Sequence, residues 1–163
     1  MTTPAHTTGQ AFTLDAHEGR TVPLNVVGEP TLVEVAAADT GGAFALFHLT
    51  APPLTGPPLH RHSREDETFY VLEGELVFEV DGVRTPVGAG GVVYLPRGVT
   101  HRYQNFTKQD VRLLIAVTPG GFHDFFVELS AATPAAGGMP PLDVLQQIDA
   151  RYGIETLGSP MFE

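Results

Sequence analysis

The chain has 163 residues, the size of one ordinary domain, and 42% of them are hydrophobic while 17% are charged. This balance excludes an intrinsically disordered chain, and the absence of cysteine excludes disulfides and thiolate metal ligands. The net charge of −10, from 9 basic and 19 acidic residues, argues against nucleic acid and anionic membranes as partners.

Short strand signals, separated by turns, follow one another through the first two thirds of the chain. Residues 1–10 are polar and are predicted to be flexible. The dipeptide Asp81-Gly82, between two apolar runs, is the strongest hairpin signal. With 18 glycines and 14 prolines to supply turns, the pattern predicts an all-β sandwich or barrel. Strands are predicted at 11–14, 22–27, 31–36, 44–50, 67–72, 76–80, 92–95, 101–105 and 111–118.

The spacing of apolar residues becomes helical after residue 119. Two segments, 122–130 and 142–152, carry this spacing, and Gly153 is a natural stop for the second helix. Each helix is apolar on one side only, so we predict that 121–163 packs on a β-domain of residues 11–120 or on a partner subunit. The two apolar stripes are Phe122, Phe125, Phe126 and Leu129, and Leu142, Leu145, Ile148 and Tyr152.

Three histidines and one glutamate are placed to meet at one metal ion. Because side chains of a strand alternate between faces, His60 and His62 point the same way. Glu67 opens the next strand after a short polar break, whose acidic pair 65–66 we interpret as a solvated loop, and His101 follows a Pro-Arg-Gly turn. Imidazole and carboxylate suit several transition ions. The sequence therefore predicts one divalent metal on these four residues, with Ni, Fe, Mn, Co, Cu and Zn all open.

The four residues lie in two motifs that resemble those of the cupin family. The second cupin motif, G-x5-P-x-G-x2-H-x3-N, is matched by Gly90, Pro96, Gly98, His101 and Asn105. The first, G-x5-H-x-H-x3–4-E-x6-G, is matched by His60, His62, Glu67 and Gly74. It departs at its leading glycine, because three residues and not five separate Gly56 from His60. The resemblance implies the cupin fold, a double-stranded β-helix or jelly-roll barrel with the metal inside.

Within the cupins, the sequence most resembles the bacterial single-domain group that is similar to quercetin 2,3-dioxygenase. The resemblance implies a metal-dependent dioxygenase that cleaves a flavonol or a similar enolizable aromatic substrate with dioxygen and releases carbon monoxide. Glu67 would then also be catalytic, because it takes the proton from the flavonol 3-hydroxyl. The similar segments are TGGAF, HRHSREDETFYVLEGEL, LPRGVTHRYQN, TPGGF and RYGIETLG.

The donor set itself favours a monoanionic ligand. Three neutral imidazoles and one carboxylate leave a divalent metal with a net charge of about +1. An enolate would suit that charge better than a neutral ligand, and many enolizable substrates meet the same demand.

Strand parity predicts the walls of a pocket around the metal. Side chains that share the parity of Glu67 or His101 should face it. Of these, Phe69 and Tyr103 are the pair that would flank a flat substrate. His48 is a further pocket candidate, although a strand histidine of this kind more often faces solvent. The parity-matched candidates are Phe69, Val71, Tyr103 and Asn105.

Two other classes of function stay open. A non-redox metalloenzyme, such as a polyketide cyclase or an isomerase, would use Zn as a Lewis acid and would turn over without dioxygen. A non-catalytic cupin would bind a metal or a small molecule without any turnover. The identity of the metal and the oxygen dependence of any reaction separate these classes.

The expected partners are a small aromatic molecule and a second copy of the chain. A homodimer is implied by the resemblance, and the one-sided helices and the strands within 22–36 offer surfaces for it. No apolar stretch of the sequence is long enough to span a bilayer, and its first residues do not resemble a secretory signal. We therefore expect a cytoplasmic location.

Overall fold

The computed structural model describes residues 9–20 and 23–161. Within them, two antiparallel β-sheets pack face to face and two helices follow near the C-terminus. This confirms the predicted all-β class with two C-terminal helices. Most of the segment that we predict to be flexible, 1–10, lies outside the described residues.

The strands are β1 (Leu24–Val26), β2 (Glu29–Val35), β3 (Ala45–Ala51), β4 (His60–His62), β5 (Asp66–Glu73), β6 (Glu75–Val80), β7 (Val83–Gly88), β8 (Val92–Leu95), β9 (His101–Gln104), β10 (Val111–Thr118) and β11 (Ile154–Thr156). The helices are α1 (His123–Ala132) and α2 (Leu142–Tyr152). The larger sheet has the order β1-β2-β3-β10-β5-β8, and the smaller sheet has the order β11-β4-β9-β6-β7.

The central strands of the larger sheet show how alternation builds the core. Along β3 and β10, every second residue is buried, and Phe47 of β3 lies opposite Ile115 of β10. The inward faces meet aromatic residues of the smaller sheet, where Phe69 of β5 contacts Phe78 of β6 with ring centroids 5.3 Å apart. Each fully buried side chain of this size contributes roughly 1.5–3 kcal/mol. Because apolar side chains recur at every second position, they all lie on the sheet faces that enclose the interior.

Local turn chemistry joins β6 to β7 as predicted. Asp81 and Gly82 both adopt positive φ, at 47° and 82°, which suits the twist of a two-residue hairpin. Val80 and Val83 pair directly across this turn. The hairpin signal implies a strand after Gly82, but the predicted strands do not include β7, because this exposed edge strand contains Pro86, and an edge is where a sheet accepts proline.

Other elements differ from their predictions at the ends of the chain. The segment expected as a strand at 11–14 is irregular, because no described strand pairs with it. Its two large apolar side chains, Phe12 and Leu14, are half-buried, and the Arg20 guanidinium lies 4.4 Å from the Phe12 ring centroid. Within 22–27, residue 22 lies outside the described residues and the strand covers Leu24–Val26. The sequence gives no signal for β11, whose three residues pair with β4.

Both helices pack against strands of their own chain. The end of α1 is bonded to the β1 region, where the backbone N–H of Asn25 donates to Ser130 Oγ at 2.9 Å. As predicted, α2 ends at Gly153, which adopts φ 72°. Leu142, expected on the apolar stripe, is 62% exposed because it is the first residue of α2 and projects beyond the packed turns.

The C-terminal segment is also bonded to the strand that carries two of the candidate ligands. In the β11–β4 ladder, Ile154 lies opposite His62 and Thr156 lies opposite His60. The helices and β11 therefore close the same end of the barrel at which the histidines lie. Neither α1 nor α2, nor any other helix of the described part of the chain, is long and apolar enough to cross a bilayer. The cytoplasmic location stays a prediction.

Gly56, the glycine that departs from the first motif, lies in a close backbone contact. A Cβ atom on Gly56 would stand 2.0 Å from the Tyr103 carbonyl oxygen and 2.8 Å from Gln104 Oε1. We predict that Gly56→Ala lowers the free energy of unfolding by about 1–3 kcal/mol, the usual cost of overpacking. Urea denaturation followed by circular dichroism measures this loss. Gly121→Ala is the matched control, because a Cβ there meets nothing within 4 Å. Equal stability of both variants would contradict the prediction.

Candidate metal centre

Four side chains from both sheets converge at the closed end of the barrel. One donor atom from each of His60, His62, Glu67 and His101 lies within 4.8 Å of the other three. His60 of β4 lies opposite His101 of β9 in the ladder, and Glu67 reaches them from β5 of the facing sheet. The Oε2 atom of Glu67 is 2.9 Å from Nε2 of His101 and 3.3 Å from Nε2 of His62. The sequence prediction placed these four residues together, and the structure brings them together.

Several of these donor atoms are buried and have no hydrogen-bond partner among the described residues. They are Nε2 of His62, Oε2 of Glu67 and Nε2 of His101. Buried polar atoms without partners are costly, and native structures rarely leave several of them pointing at one place. Convergent nitrogen and oxygen lone pairs would be satisfied by one cation. The donor set therefore fits a divalent transition metal.

Backbone carbonyls fix the tautomers of two of the histidines. His60 Nδ1 donates to the Pro58 carbonyl at 2.7 Å, and His101 Nδ1 donates to the Val99 carbonyl at 3.0 Å. A carbonyl oxygen only accepts, so the proton of each neutral ring is on Nδ1. The lone pair on Nε2 then faces the centre, the arrangement that hydrogen bonds around a metal site normally impose on histidine ligands.

His62 is oriented by a buried carboxylate instead. Glu65 is only 6% exposed, and its Oε2 lies 3.8 Å from His62 Nδ1. On the other side, the His62 ring packs against Phe122, with centroids 4.9 Å apart. The interpretation of 65–66 as a solvated loop is wrong, because Glu65 turns inward and Asp66 accepts hydrogen bonds from the backbone and side chain of Arg97.

The protonation states suit ligands. Burial, with His101 and His62 nearby, lowers the pKa of His60 to about 3, so this ring is neutral at neutral pH. Burial alone would raise the pKa of Glu67, but the neighbouring histidines lower it to about 2 and keep the carboxylate ionised. Burial also lowers the pKa of His62, but Glu67 and Glu65 more than offset it and the net shift is upward. A metal would displace the proton that this ring attracts.

A cavity of about 70 Å³ opens beside the four donors. The donors His60, Glu67 and His101 form part of its wall, and none of the described residues that line it is Lys or Arg. The remaining wall is largely apolar and comes from both sheets, from α1 and α2, and from the segment between the helices. Its apolar residues include Phe69, Ile115, Phe122, Phe126, Met139 and Leu145.

Of the pocket residues predicted by parity, two line this cavity, but not as a clamp. Phe69 and Tyr103 contact each other directly, with ring centroids 5.9 Å apart and planes at 67°. A flat substrate between two rings would need about 7 Å between their faces. In this structure the rings from the facing sheets pack on each other and leave no room for a flat substrate between them, so their role as a flanking pair stays a prediction.

The other three predicted pocket residues do not line the cavity. Val71 is fully buried further along β5, and Asn105 Nδ2 donates to the carbonyls of Ala51 and Gln109, so both hold the core and a loop. The alternation of side chains tells which face of a strand a residue lies on, but not how far along the strand the cavity extends. His48 lies on the outer face of β3, where its Nδ1 is 3.5 Å from Glu34 Oε1. The inward positions of β3 are the odd-numbered ones, so His48 does not face this cavity in the structure.

Two acidic residues that the sequence reasoning missed also line the cavity. Glu29, the first residue of β2, is 1% exposed, and burial raises its pKa to about 7. Asp149 of α2 accepts a hydrogen bond from the Thr156 hydroxyl at 2.6 Å, and burial raises its pKa. A signal existed in both cases, since Glu29 shares the inward parity of Thr31, and Asp149 lies on the apolar stripe of α2.

We expect the protein to bind one divalent transition ion per chain at these four residues. Removing one ligand, as in His62→Ala or His101→Ala, should weaken metal binding by more than about 100-fold. Substitution of a residue that only hydrogen-bonds to a ligand already costs up to about 100-fold. Glu65→Gln should cost about 10- to 100-fold. Calorimetric titration with Co²⁺, with its visible spectrum, measures the affinities. His48→Ala is the control and should bind like the wild type. A wild-type protein that takes up no transition ion would contradict the assignment.

Comparisons with known proteins agree with this architecture. Residues 47–117 match the family model of the cupin domain. The chain is 33% identical to the oxidoreductase iacF of Pestalotiopsis fici over 93 residues, which are 55% of this chain and 46% of that protein. It is 26% identical to quercetin 2,3-dioxygenase of Bacillus subtilis over 126 residues, 72% of this chain and 36% of that protein. The chain thus spans about half or less of the length of these two relatives.

A solved structure shows the same fold. The crystal structure of a predicted oxalate decarboxylase from Thermotoga maritima matches with a TM-score of 0.54 at 27% identity, over 60% of this chain and 91% of that one. The region that matches the family model, residues 47–117, contains both sequence motifs and the four convergent His and Glu side chains of this chain. The central region of this protein, residues 47–117, is thus similar to a cupin domain in sequence, and the chain shares the fold of that solved structure.

Proposed function

We propose that the protein is a metal-dependent cupin dioxygenase that cleaves a flavonol or a similar enolizable aromatic substrate, with dioxygen as co-substrate. The observation that supports this proposal is a three-histidine, one-glutamate centre beside an apolar cavity whose described lining residues include no Lys or Arg. When bound, a divalent metal on this donor set supplies a net charge of about +1 that stabilises an enolate oxygen. Two of the relatives are named an oxidoreductase and a quercetin 2,3-dioxygenase, which supports an oxidative reaction for this chain.

Glu67 is the residue that we assign as the base. Its carboxylate is ionised at neutral pH, lines the cavity and has an Oε2 atom without a hydrogen-bond partner among the described residues. Glu67 acts as the base only while its bond to the metal is open, and an acidic hydroxyl that enters the cavity then gives its proton to the carboxylate and becomes a monoanion. The apolar wall excludes water and strengthens the attraction between that anion and the centre.

The charge of the cavity argues against small dianions such as oxalate, the acid in the name of the Thermotoga structure. Glu67 and Asp149 line the cavity, and its described wall offers no basic side chain to balance a second carboxylate or a phosphate. A substrate that enters neutral and loses one proton avoids this repulsion. An enolizable phenol or flavonol meets that condition.

The cavity must widen to admit a substrate of this size. Its volume of about 70 Å³ is half that of an engineered cavity of about 150 Å³ that binds benzene. Met139, between α1 and α2, forms part of the wall, and this segment contains Gly137 and Gly138, both at positive φ. Our proposal therefore includes an outward displacement of the segment between the helices when a flavonol binds.

The small volume also favours a second candidate, a non-redox metalloenzyme that acts on a smaller substrate. An isomerase or a polyketide cyclase would use Zn only as a Lewis acid and would need no dioxygen. A protein that binds a metal or a small molecule without turnover is the remaining alternative. Oxygen dependence separates the first proposal from both.

We further propose that the protein is a homodimer, but through a different surface from that suggested by the sequence. The one-sided helices and the strands at 24–35 are engaged within their own chain. In contrast, the outer face at the edge of the larger sheet carries a patch of large exposed side chains. Tyr70 of β5 pairs with Val92 of β8 within it. A patch that is complementary to itself suits a two-fold dimer. The patch consists of Tyr70, Leu72, Val92 and Tyr94, which are 37–61% exposed.

The dioxygenase proposal predicts oxygen-dependent loss of flavonol. Protein reconstituted with Ni, Co, Fe, Mn or Cu is incubated with quercetin, with and without air, and flavonol absorbance and carbon monoxide are followed. We expect turnover only in air, and a fall in kcat of about 10²- to 10⁴-fold for Glu67→Gln, the usual contribution of a general base. Glu34→Gln, which changes an outward glutamate of β2, is the control. No oxygen-dependent loss with any of these metals would sink the proposal, and anaerobic turnover with Zn would favour the second candidate.

The dimer proposal predicts a mass of two chains in light scattering after size-exclusion chromatography. Tyr70→Lys together with Val92→Lys should yield a monomer, because two charges would be placed in the apolar patch. Val127→Lys is the control, since Val127 is 42% exposed on α1 and lies away from the patch. A monomeric wild type, or a dimer that survives the double substitution, would rule this interface out.

A further inference from the structure

Glu29 forms a compact hydrogen-bonded group in the cavity wall, apart from the four donors. Its Oε2 accepts a hydrogen bond from the Tyr103 hydroxyl at 2.6 Å. Its Oε1 lies 3.0 Å from Thr55 Oγ1, and that hydroxyl lies 2.8 Å from the Pro52 carbonyl oxygen. Three oxygen–oxygen contacts of hydrogen-bond length therefore run in a chain from Tyr103 through Glu29 and Thr55 to Pro52.

The number of hydrogen atoms in this chain depends on the charge of Glu29. If Glu29 is ionised, the Thr55 hydroxyl must share its one hydrogen between Glu29 Oε1 and the Pro52 carbonyl, whereas one hydrogen for each of the three contacts requires a third hydrogen. The hydroxyls of Tyr103 and Thr55 supply one each, and the Pro52 carbonyl supplies none. A proton on Oε1 of Glu29 supplies the third. Glu29 then donates to Thr55, Thr55 donates to Pro52, and Tyr103 donates to Glu29.

The surroundings favour the same neutral form. Glu29 is 1% exposed, and burial is the largest influence that raises its pKa to about 7. The titratable groups that share its cavity are His60 of β4, Glu67 of β5, His101 and Tyr103 of β9, and Asp149 of α2. Two of these five are acids, and the described lining contains no Lys or Arg to stabilise a second carboxylate ion.

We propose that Glu29 and Tyr103 form a second polar subsite, which binds an uncharged hydroxyl group of the substrate while its enolate end lies at the four-donor centre. The assignment of the two ends rests on the proposed function. In the neutral chain, Oε2 of Glu29 and the Tyr103 oxygen each keep a free lone pair, and neither has a free hydrogen. The subsite therefore takes a hydroxyl that donates, and it rejects carboxylates and phosphates. In an apolar wall, it sets the orientation and the specificity of binding.

Two flavonols test the subsite directly. Quercetin carries several phenolic hydroxyls, whereas 3-hydroxyflavone keeps only the one that would bind at the metal. Binding of both to Zn-loaded protein, without air, is measured by fluorescence titration, with the zinc content checked. We expect Tyr103→Phe and Glu29→Leu to weaken quercetin about tenfold, the effect of one hydrogen bond. The affinity for 3-hydroxyflavone should stay within about twofold.

Glu29→Gln distinguishes a neutral carboxyl from an ion. Its amide has the shape of a protonated carboxyl, donates to Thr55 and accepts from Tyr103, so this variant should keep the preference for quercetin. Glu34→Leu is the matched control on the outer face of β2 and should bind both flavonols like the wild type. Loss of the preference in Glu29→Gln, or its persistence in Tyr103→Phe, would overturn the subsite.

A ligand-free measurement keeps this inference separate from the proposed function. The pKa of Glu29 is about 7 in the folded protein and 4.5 in its ordinary state. Its contribution to stability is fully present below pH 4.5 and is lost as the pH rises through 7. The Tm of metal-free Glu29→Gln, relative to wild type, should therefore rise between pH 5 and pH 8. A difference in Tm that does not change with pH would overturn the neutral carboxyl.

The combined outcomes assign any failure to its cause. Tight binding of quercetin that depends on Glu29, without turnover in air, would leave the subsite standing and reject the dioxygenase. Turnover in air without any effect of Glu29 or Tyr103 on quercetin affinity would reject the subsite alone. If wild-type protein binds neither flavonol, the subsite as stated is rejected, even where the Tm of Glu29→Gln shows the expected dependence on pH.

Discussion

The contact on which this structure depends joins a carboxylate of one sheet to imidazoles of the other. Glu67 Oε2 lies 2.9 Å from His101 Nε2 and 3.3 Å from His62 Nε2, in a place that solvent hardly reaches. Lone pairs held so close repel one another unless protons or a cation lie among them. The surrounding features keep these groups in place: carbonyls that receive the Nδ1 protons, Glu65 beside His62, and a C-terminal strand paired to β4.

The four donors could be predicted from sequence because their placement depends on local geometry. Alternation along β4 places His60 and His62 on one face, and the ladder to β9 brings His101 opposite His60. The pocket depends on properties that alternation does not contain. Val71 lies on the predicted face of its strand but too far along β5 to reach the cavity. Asn105 also lies on the predicted face, but its side-chain amide is hydrogen-bonded to the backbone. For such residues, only long-range contacts decide the role.

The same limit explains the elements that were missed. Alternation and turn residues predict strands that are buried on one face, such as β3 and β10. A strand of three residues such as β11 forms because β4 offers it a partner, and a segment such as 11–14 stays irregular because none does. Glu29 follows a turn glycine and therefore resembles a surface residue, yet Tyr103, 74 positions away, makes it part of the interior.

One cavity thus holds two glutamates that are in opposite states at pH values below 7. Glu67 lies among imidazoles that stabilise its charge and keep its pKa near 2, whereas Glu29 lies among hydroxyls and apolar walls that raise its pKa to about 7. Environments that separate the pKa values of two like groups give them different chemical tasks. The ionised group can accept a proton, and the neutral one can hold a hydroxyl without repelling the anion formed at the other end. A substrate with one acidic and one ordinary hydroxyl would therefore bind in a single orientation.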